Sequence, residues 1–291
     1  MVPHALYKRP LDININQIFG RTKGGNYMIS EFKLGRNLGG GTFGEVYIAE
    51  LKSDKTRVAL KKIKKSGMSH AKRYVLEEIK NQAKIGSHPF ILPLLDYFWT
   101  RHTVYLILPV AQNGALSDKW LPNGEDQPAV KFSHREAGKY TYQIASALDY
   151  CHRLDVVHRD IKMENILLDS NDDVKVGDFG CSGLTNNRRN SRVGTLEYRA
   201  PEMITGTDHG KEVDNWAIGV LLYEMLTAHS PFGDYDHERI VEHRIMMMEY
   251  RIPADVDAAP SRIIKRLLKE RPQERMKLCN LMKHPWIKAN K

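Results

Sequence analysis

Three stretches of this sequence carry residue types and spacings suited to handling phosphate and charge. The first, Leu38-Gly39-Gly40-Gly41-Thr42-Phe43-Gly44-Glu45-Val46, contains G-x-G-x-x-G. Bare glycines let backbone N–H groups come close to phosphate oxygens, although dinucleotide-binding folds use the same spacing. The residues after Gly44 (Glu45-Val46-Tyr47-Ile48-Ala49) are strand-like and not helical, so the loop reads as a hairpin lid. In the second, Arg57-Val58-Ala59-Leu60-Lys61-Lys62-Ile63, strand alternation puts Ala59 and Lys61 on one face and Lys62 on the other. Lys61 is therefore the choice for a phosphate-pairing lysine, and a buried lysine needs a carboxylate. On the next helix, Glu77 shares a polar stripe with Arg73, Lys80, Asn81 and Lys84. Glu78 shares its stripe with Ala71, Val75, Gln82 and Ile85, which points it inward. The third stretch is Val157-His158-Arg159-Asp160-Ile161-Lys162-Met163-Glu164-Asn165, with Asp178-Phe179-Gly180 eighteen residues after Asp160.

The elements that must position these residues change character along the chain. Residues 1–30 read as a tail, with Pro3, Pro10, Gly20, Gly24 and Gly25. From Phe32 to Ala59 the texture is β, Met68–Ile85 reads as a helix, and Phe90–Ala111 as two more strands. From Ser133 onward helical periodicity dominates, so a strand-rich third precedes a helix-rich remainder and two unequal lobes are expected. The 291 residues are 42 % hydrophobic and 27 % charged, which excludes a disordered, collagen-like or coiled-coil chain. No uncharged apolar run approaches a membrane span, no secretory signal is legible, and three scattered cysteines indicate neither disulfides nor zinc. The formal charge of +9 is concentrated in residues 261–291, where ten Lys/Arg meet two Glu. Ile263, Ile264, Leu267 and Leu268 recur at helical spacing among those charges, which favours a solvated helix face over a nucleic-acid surface.

Two further runs come later and in order, Gly194-Thr195-Leu196-Glu197-Tyr198-Arg199-Ala200-Pro201-Glu202 and Asp214-Asn215-Trp216-Ala217-Ile218-Gly219. With them the chain resembles a eukaryotic protein kinase from Phe32 to Ile287. The resemblance implies an α+β bilobal fold: an antiparallel-sheet N-lobe with one key helix (31–111, hinge included) and a mostly helical C-lobe (112–291), the active site between them. It implies ATP and Mg²⁺ as cofactors, Asp160 as acceptor of the substrate hydroxyl proton, and Asn165 and Asp178 as metal holders. Lys61, held by Glu78, would position the α/β-phosphates, and Lys162 and Thr195 would join the catalytic set. Leu38, Gly39, Gly40, Gly41, Thr42, Phe43, Gly44, Val46, Ala59 and Leu167 would form the ATP site with Leu108 as gatekeeper. Pro109 has no N–H, but adenine needs only a carbonyl there, and Ala111 supplies the donor. Glu202 and Arg275 match the family's buried structural ion pair.

Lys162 together with Gly194-Thr195 resembles the serine/threonine kinases. Tyr150-Cys151-His152, Arg188-Arg189, Gln82 and His284-Pro285-Trp286-Ile287-Lys288-Ala289-Asn290 are similar to aurora kinases. Gln82 is expected either inside the regulatory stack or as a partly exposed helix polar. Met163 stands where the family has proline, and Cys181 where aurora kinases have tryptophan. Glu164 and Glu224 match the two acids that grip an arginine two residues before the acceptor in basophilic kinases. Ser191, with Arg189 two residues upstream, is the expected activating phosphosite, read by Arg159. The expected partners are protein substrates with basic residues upstream of Ser/Thr and an activating protein on the N-lobe, with no membrane and no nucleic acid. The expected place is cytoplasm or nucleus, with cytoskeleton or spindle as the finer reading. The competing readings are a pseudokinase serving as a binding module, a kinase of another basophilic group, and a nucleic-acid binder using the basic C-terminus.

Overall fold

Alternation within single strands decides how the first half of the chain packs. The computed structural model describes residues 18, 24–41, 44–65, 69–121, 128–184, 194–233 and 237–291. The chain divides into two compact units, Met1–His88 with Leu92–Gln112 and Pro89–Ile91 with Asn113–Lys291. In the first unit lie strands β1 (Gly24–Gly25), β2 (Phe32–Gly41), β3 (Gly44–Leu51) and β4 (Arg57–Lys64), helix α1 (Ser69–Ile85), and strands β5 (Asp96–Trp99) and β6 (Thr103–Leu108). The strands form one antiparallel sheet in the order β1-β5-β6-β4-β3-β2. β6 is buried at every position because its two faces serve two cores. Tyr105 and Ile107 join Phe32, Leu60 and Phe98, while Val104 and Leu106 join Val75, Leu76 and Ile79 of α1. Residues 24–30, part of the stretch read as a tail, belong to this unit: β1 pairs with β5, and Tyr27 and Ile29 pack on the Phe32 cluster.

The second unit contains α2 (Leu116–Trp120), α3 (His134–Arg153), short strands β7 (Val156–Val157), β8 (Ile166–Leu168), β9 (Val174–Val176) and β10 (Gly183–Leu184), then α4 (Pro201–Ile204), α5 (Glu212–Thr227), α6 (Glu238–Met246), α7 (Ala258–Leu267), α8 (Leu278–Lys283) and α9 (Pro285–Ala289). α3 starts at a capping box in which the Ser133 hydroxyl accepts the Glu136 N–H and the Glu136 carboxylate accepts the Ser133 N–H. α5 is apolar nearly all round and is buried from Val213 to Thr227, the signature of a central helix. α3 and α7 pack against it. On α7 the apolar stripe Ile263, Ile264 and Leu267 faces inward, while Arg262, Lys265 and Arg266 face solvent. Among the described residues no helix is long and apolar enough to cross a membrane.

One ion pair ties this unit together. Arg275 has five N–H donors and all five are used. Nη1 and Nη2 meet the two carboxylate oxygens of Glu202 at 2.6 and 2.7 Å. The rest go to the carbonyls of Glu212, Glu270 and Lys269. The guanidinium lies 5.1 Å from the centroid of the Trp216 ring. Burying a charge is costly unless it is paired and fully hydrogen-bonded, and here it is both.

Candidate active site

In the first unit, Lys61 lies between Val46 and Leu106 in the ladder. Its Nζ donates to both oxygens of Glu78, at 3.0 and 2.9 Å, and both side chains are buried. Lys62, on the opposite face, lies 3.9 Å from Glu45, and Glu77 is half-buried. The period of a strand and the period of a helix thus select the same pair from opposite sides. Gly40 faces Glu45 and Gly41 faces Gly44 at the turn of the β2–β3 hairpin. A Cβ on Gly44 would lie 2.4 Å from the Lys62 carbonyl oxygen, so the hairpin tolerates only glycine there. Leu38 and Gly39 are exposed, Val46 is half-buried, and Ala59 pairs with Leu108 at the end of β6, just before Pro109 and Ala111. Thr42 and Phe43 lie outside the described residues. Gln82 is buried, and its Oε1 has no hydrogen-bond partner among the described residues.

In the second unit, a single buried carboxylate shapes the loop that carries Asp160. Asp214 accepts the backbone N–H groups of His158 at 3.0 Å and Arg159 at 2.8 Å, and meets His152 Nε2 at 2.7 Å. Burial alone would raise its pKa; the His152 hydrogen bond, the two neighbouring histidines and the Arg159 amide outweigh it and hold the carboxyl below its usual range. Arg159 sits at φ 69° and Asp178 at φ 54°, left-handed conformations that non-glycine residues adopt when surrounding bonds impose them. His158 Nε2 donates to the Gly177 carbonyl at 2.9 Å, which leaves Nδ1 to accept the Asp160 N–H at 3.3 Å. The Phe179 ring packs edge-on against His158 at 4.8 Å.

Asp160 is held on both oxygens. Oδ1 accepts the Thr195 N–H at 3.2 Å, and Oδ2 accepts Asn165 Nδ2 at 3.0 Å. Lys162 Nζ donates to the Thr195 hydroxyl at 2.8 Å. Gly194 carries φ 81°, and a Cβ there would lie 2.7 Å from the Arg159 carbonyl oxygen, so glycine permits the close approach of this segment to the loop. The Asn165 carbonyl accepts the Gly177 N–H at 2.9 Å, which joins the two ends of the β8–β9 hairpin beside Asp178. Leu167 is half-buried on β8. Asp160, Lys162, Asn165 and Thr195 are thus brought together; Ser191, Arg188 and Arg189 fall outside the described residues.

Composition and motif spacing assigned no role to Tyr198, although it organises the rim of this site. Its hydroxyl donates to the Glu224 carboxylate and accepts the Met163 N–H at 3.5 Å, a donor that proline could not supply. Burial, then the charges of Glu224 and Glu164, push its pKa well up, so one phenol has both acids as neighbours. Arg199 clamps the Gly194 carbonyl at 2.7 and 3.0 Å. Asp214 did leave a signal in the sequence, since an acid within so apolar a helix must be paired.

A nearby buried histidine gives a pH test. His209 donates from Nδ1 to the Thr207 carbonyl at 3.1 Å. Burial holds its pKa below the usual 6.5; the Thr207 carbonyl, Glu202 and Asp208 oppose that shift and Arg159 adds to it. The folded state therefore binds fewer protons than the unfolded one, so stability is full above pH 6.5 and falls as acid takes the pH through the depressed value. His284, lowered by burial and by Arg266 and Arg262, adds in the same direction. Thermal melts between pH 7.5 and 5.5 should show this decline, with a shallower slope in His209→Phe. An unchanged slope would refute the assignment.

With this geometry in view, the comparisons are consistent. Residues 32–287 match the family described as "Protein kinase domain". "Aurora/IPL1-related protein kinase 2" of Caenorhabditis elegans is 40% identical over 270 residues, covering 92% of this chain and 86% of the relative. "Aurora kinase B" of Drosophila melanogaster is 38% identical over 292 residues, covering 99% and 83%. "Aurora kinase" of Schizosaccharomyces pombe is 40% identical over 264 residues, covering 90% and 72%. The chain belongs to the protein kinase family. Within it, the chain is a serine/threonine protein kinase of aurora-like type, and the family implies ATP, a divalent metal and protein substrates.

Proposed function

We propose that the chain phosphorylates serine and threonine in proteins that carry arginine two residues before the acceptor, with Mg²⁺ as the metal. The arrangement around Asp160 carries this reading: a carboxylate fixed on both oxygens beside a lysine that is itself fixed on Thr195. Asp160 takes the proton of the acceptor hydroxyl as that oxygen bonds to the γ-phosphorus and the bond to the β–γ bridging oxygen breaks, releasing ADP. Lys162 faces the transferring group, and Lys61 holds the α/β-phosphates under the glycines 39–41 and 44. Asn165 and Asp178 are hard oxygen donors suited to Mg²⁺, and the described residues contain no cluster of three His, Cys, Asp or Glu that would cage a metal alone. The ion would neutralise phosphate charge. Positioning and charge stabilisation account for the acceleration in this chemistry. An activating partner on the first unit and a place on the spindle or cytoskeleton are finer parts of the reading, and they follow from the aurora-like resemblance of the sequence alone.

Selectivity comes from Glu164 and Glu224 around Tyr198. Bidentate carboxylate–guanidinium contacts are charge-assisted and directional. Replacing the upstream arginine of a peptide by alanine should lower kcat/KM on wild type by about tenfold or more. On Glu224→Gln, which keeps an acceptor for Tyr198, the same replacement should matter little. Equal losses on the two enzymes would remove the contact.

Ser191 is proposed as an activating phosphosite that the kinase can fill itself, because Arg189 supplies its own preferred upstream arginine. A phosphate brings roughly −1.5 to −2 charge and three acceptor oxygens, enough to order a segment on arginines. Phosphate mapping should find the site filled in wild type and empty in Asp160→Asn, and Ser191→Ala should be the slower enzyme. A fully active alanine variant ends the idea.

A further inference from the structure

Ile18 lies outside the region that matches the kinase family, yet it is fully buried. It belongs to the cluster formed by Val75, Leu76 and Ile79 of α1, Ile63 of β4, Tyr97 of β5, and Val104 and Leu106 of β6. Residues 24–26 are tied to the same sheet. β1 pairs with Phe98 and Trp99, and Asn26 Nδ2 donates to Asp96 Oδ2 at 3.0 Å. Gly24 and Gly25 are required by contact: a Cβ on Gly24 would lie 2.2 Å from the Trp99 ring, and one on Gly25 2.6 Å from the Phe98 Cβ. Gly24 follows Ile18 by six positions, so Ile18 stays within about 20 Å of β1.

The helix that Ile18 touches is the one that carries Glu78, next to Ile79. Its seat is only partly polar. Apart from the Lys61–Glu78 pair, the buried Gln82 Oε1 on the same helix has no partner among the described residues, a cost that favours displacement of the helix. Apolar burial holds the face that meets the sheet, and Ile18 supplies part of that contact from outside the helix and the sheet. A helix residue turns by about 100° per position, so a small rotation of α1 would take the Glu78 carboxylate off Lys61.

We propose that Ile18 is an intramolecular positioning residue that seats α1 and thereby keeps Glu78 on Lys61. Ile18 acts through the ion pair and touches no substrate. The inference rests on the role proposed above for that pair.

The test uses the full chain with Ile18→Asp, Ile18→Val and Glu78→Gln, together with a synthetic peptide of residues 11–26. Ile18→Asp should lose about tenfold to a hundredfold in kcat, the scale of a misplacement of about 1 Å. Its KM for peptide substrate should be unchanged, and amide-exchange protection should fall in residues 75–85 while residues 134–227 stay protected. Ile18→Val should behave as wild type, and the added peptide should restore activity to Ile18→Asp. Wild-type turnover by Ile18→Asp, protection lost in both units, or failure of the peptide to rescue would each overturn the proposal. Wild-type turnover by Glu78→Gln would instead remove the role of the ion pair itself.

Discussion

Asp160→Asn should lower phosphoryl transfer about 10²–10⁴-fold, the usual cost of losing a positioned general base, while ATP affinity stays close to wild type. Among the described residues the carboxylate is anchored by acceptor contacts: Thr195 N–H on one oxygen, Asn165 Nδ2 on the other. An asparagine keeps the size and one acceptor. Its NH₂ group, however, must face one of those two donors, so the side chain loses basicity and one anchor together. Asp160 has no part in the Lys61–Glu78 pair, which is why nucleotide binding should survive. Single-turnover transfer from γ-labelled ATP, alongside calorimetric titration with a non-hydrolysable ATP analogue, separates the two quantities. Turnover comparable to wild type would sink the assignment of Asp160.

The second large effect concerns stability. Removing one partner of a buried, fully hydrogen-bonded ion pair costs about 3–5 kcal/mol, because the other charge is left without compensation. Arg275→Ala leaves the Glu202 carboxylate without its two charged donors and frees the carbonyls of Lys269, Glu270 and Glu212. A domain of this size should then melt roughly 6–20 °C lower. Glu202→Leu combined with Arg275→Met should recover part of the loss, since well-packed apolar replacements remove both charges at once. In whatever fraction stays folded, the KM for ATP should be that of wild type. A melting temperature unmoved by Arg275→Ala would show that the five bonds contribute nothing net.

The sequence by itself determined the class of chemistry and the candidate residues for it. Ordered motifs identified the resemblance to kinases, and two local periods did finer work. Alternation along β4 separated Lys61 from Lys62, and the stripe on α1 separated Glu78 from Glu77. Both choices are visible because neighbours within one element follow a fixed geometry, two residues per strand repeat and 3.6 per helix turn. Tertiary structure alone decided the rest. Gln82 stood equally well in a buried or an exposed place until α1 was seated. Asp214 reaches the amides of a loop 55 and 56 residues away, and Tyr198 reaches Glu224 across 26 residues. Ile18, read as part of a tail, completes the pocket beneath α1. No local period encodes such contacts, because which distant segments meet depends on how whole elements bury their apolar faces against one another, and that is settled only when the chain closes on itself.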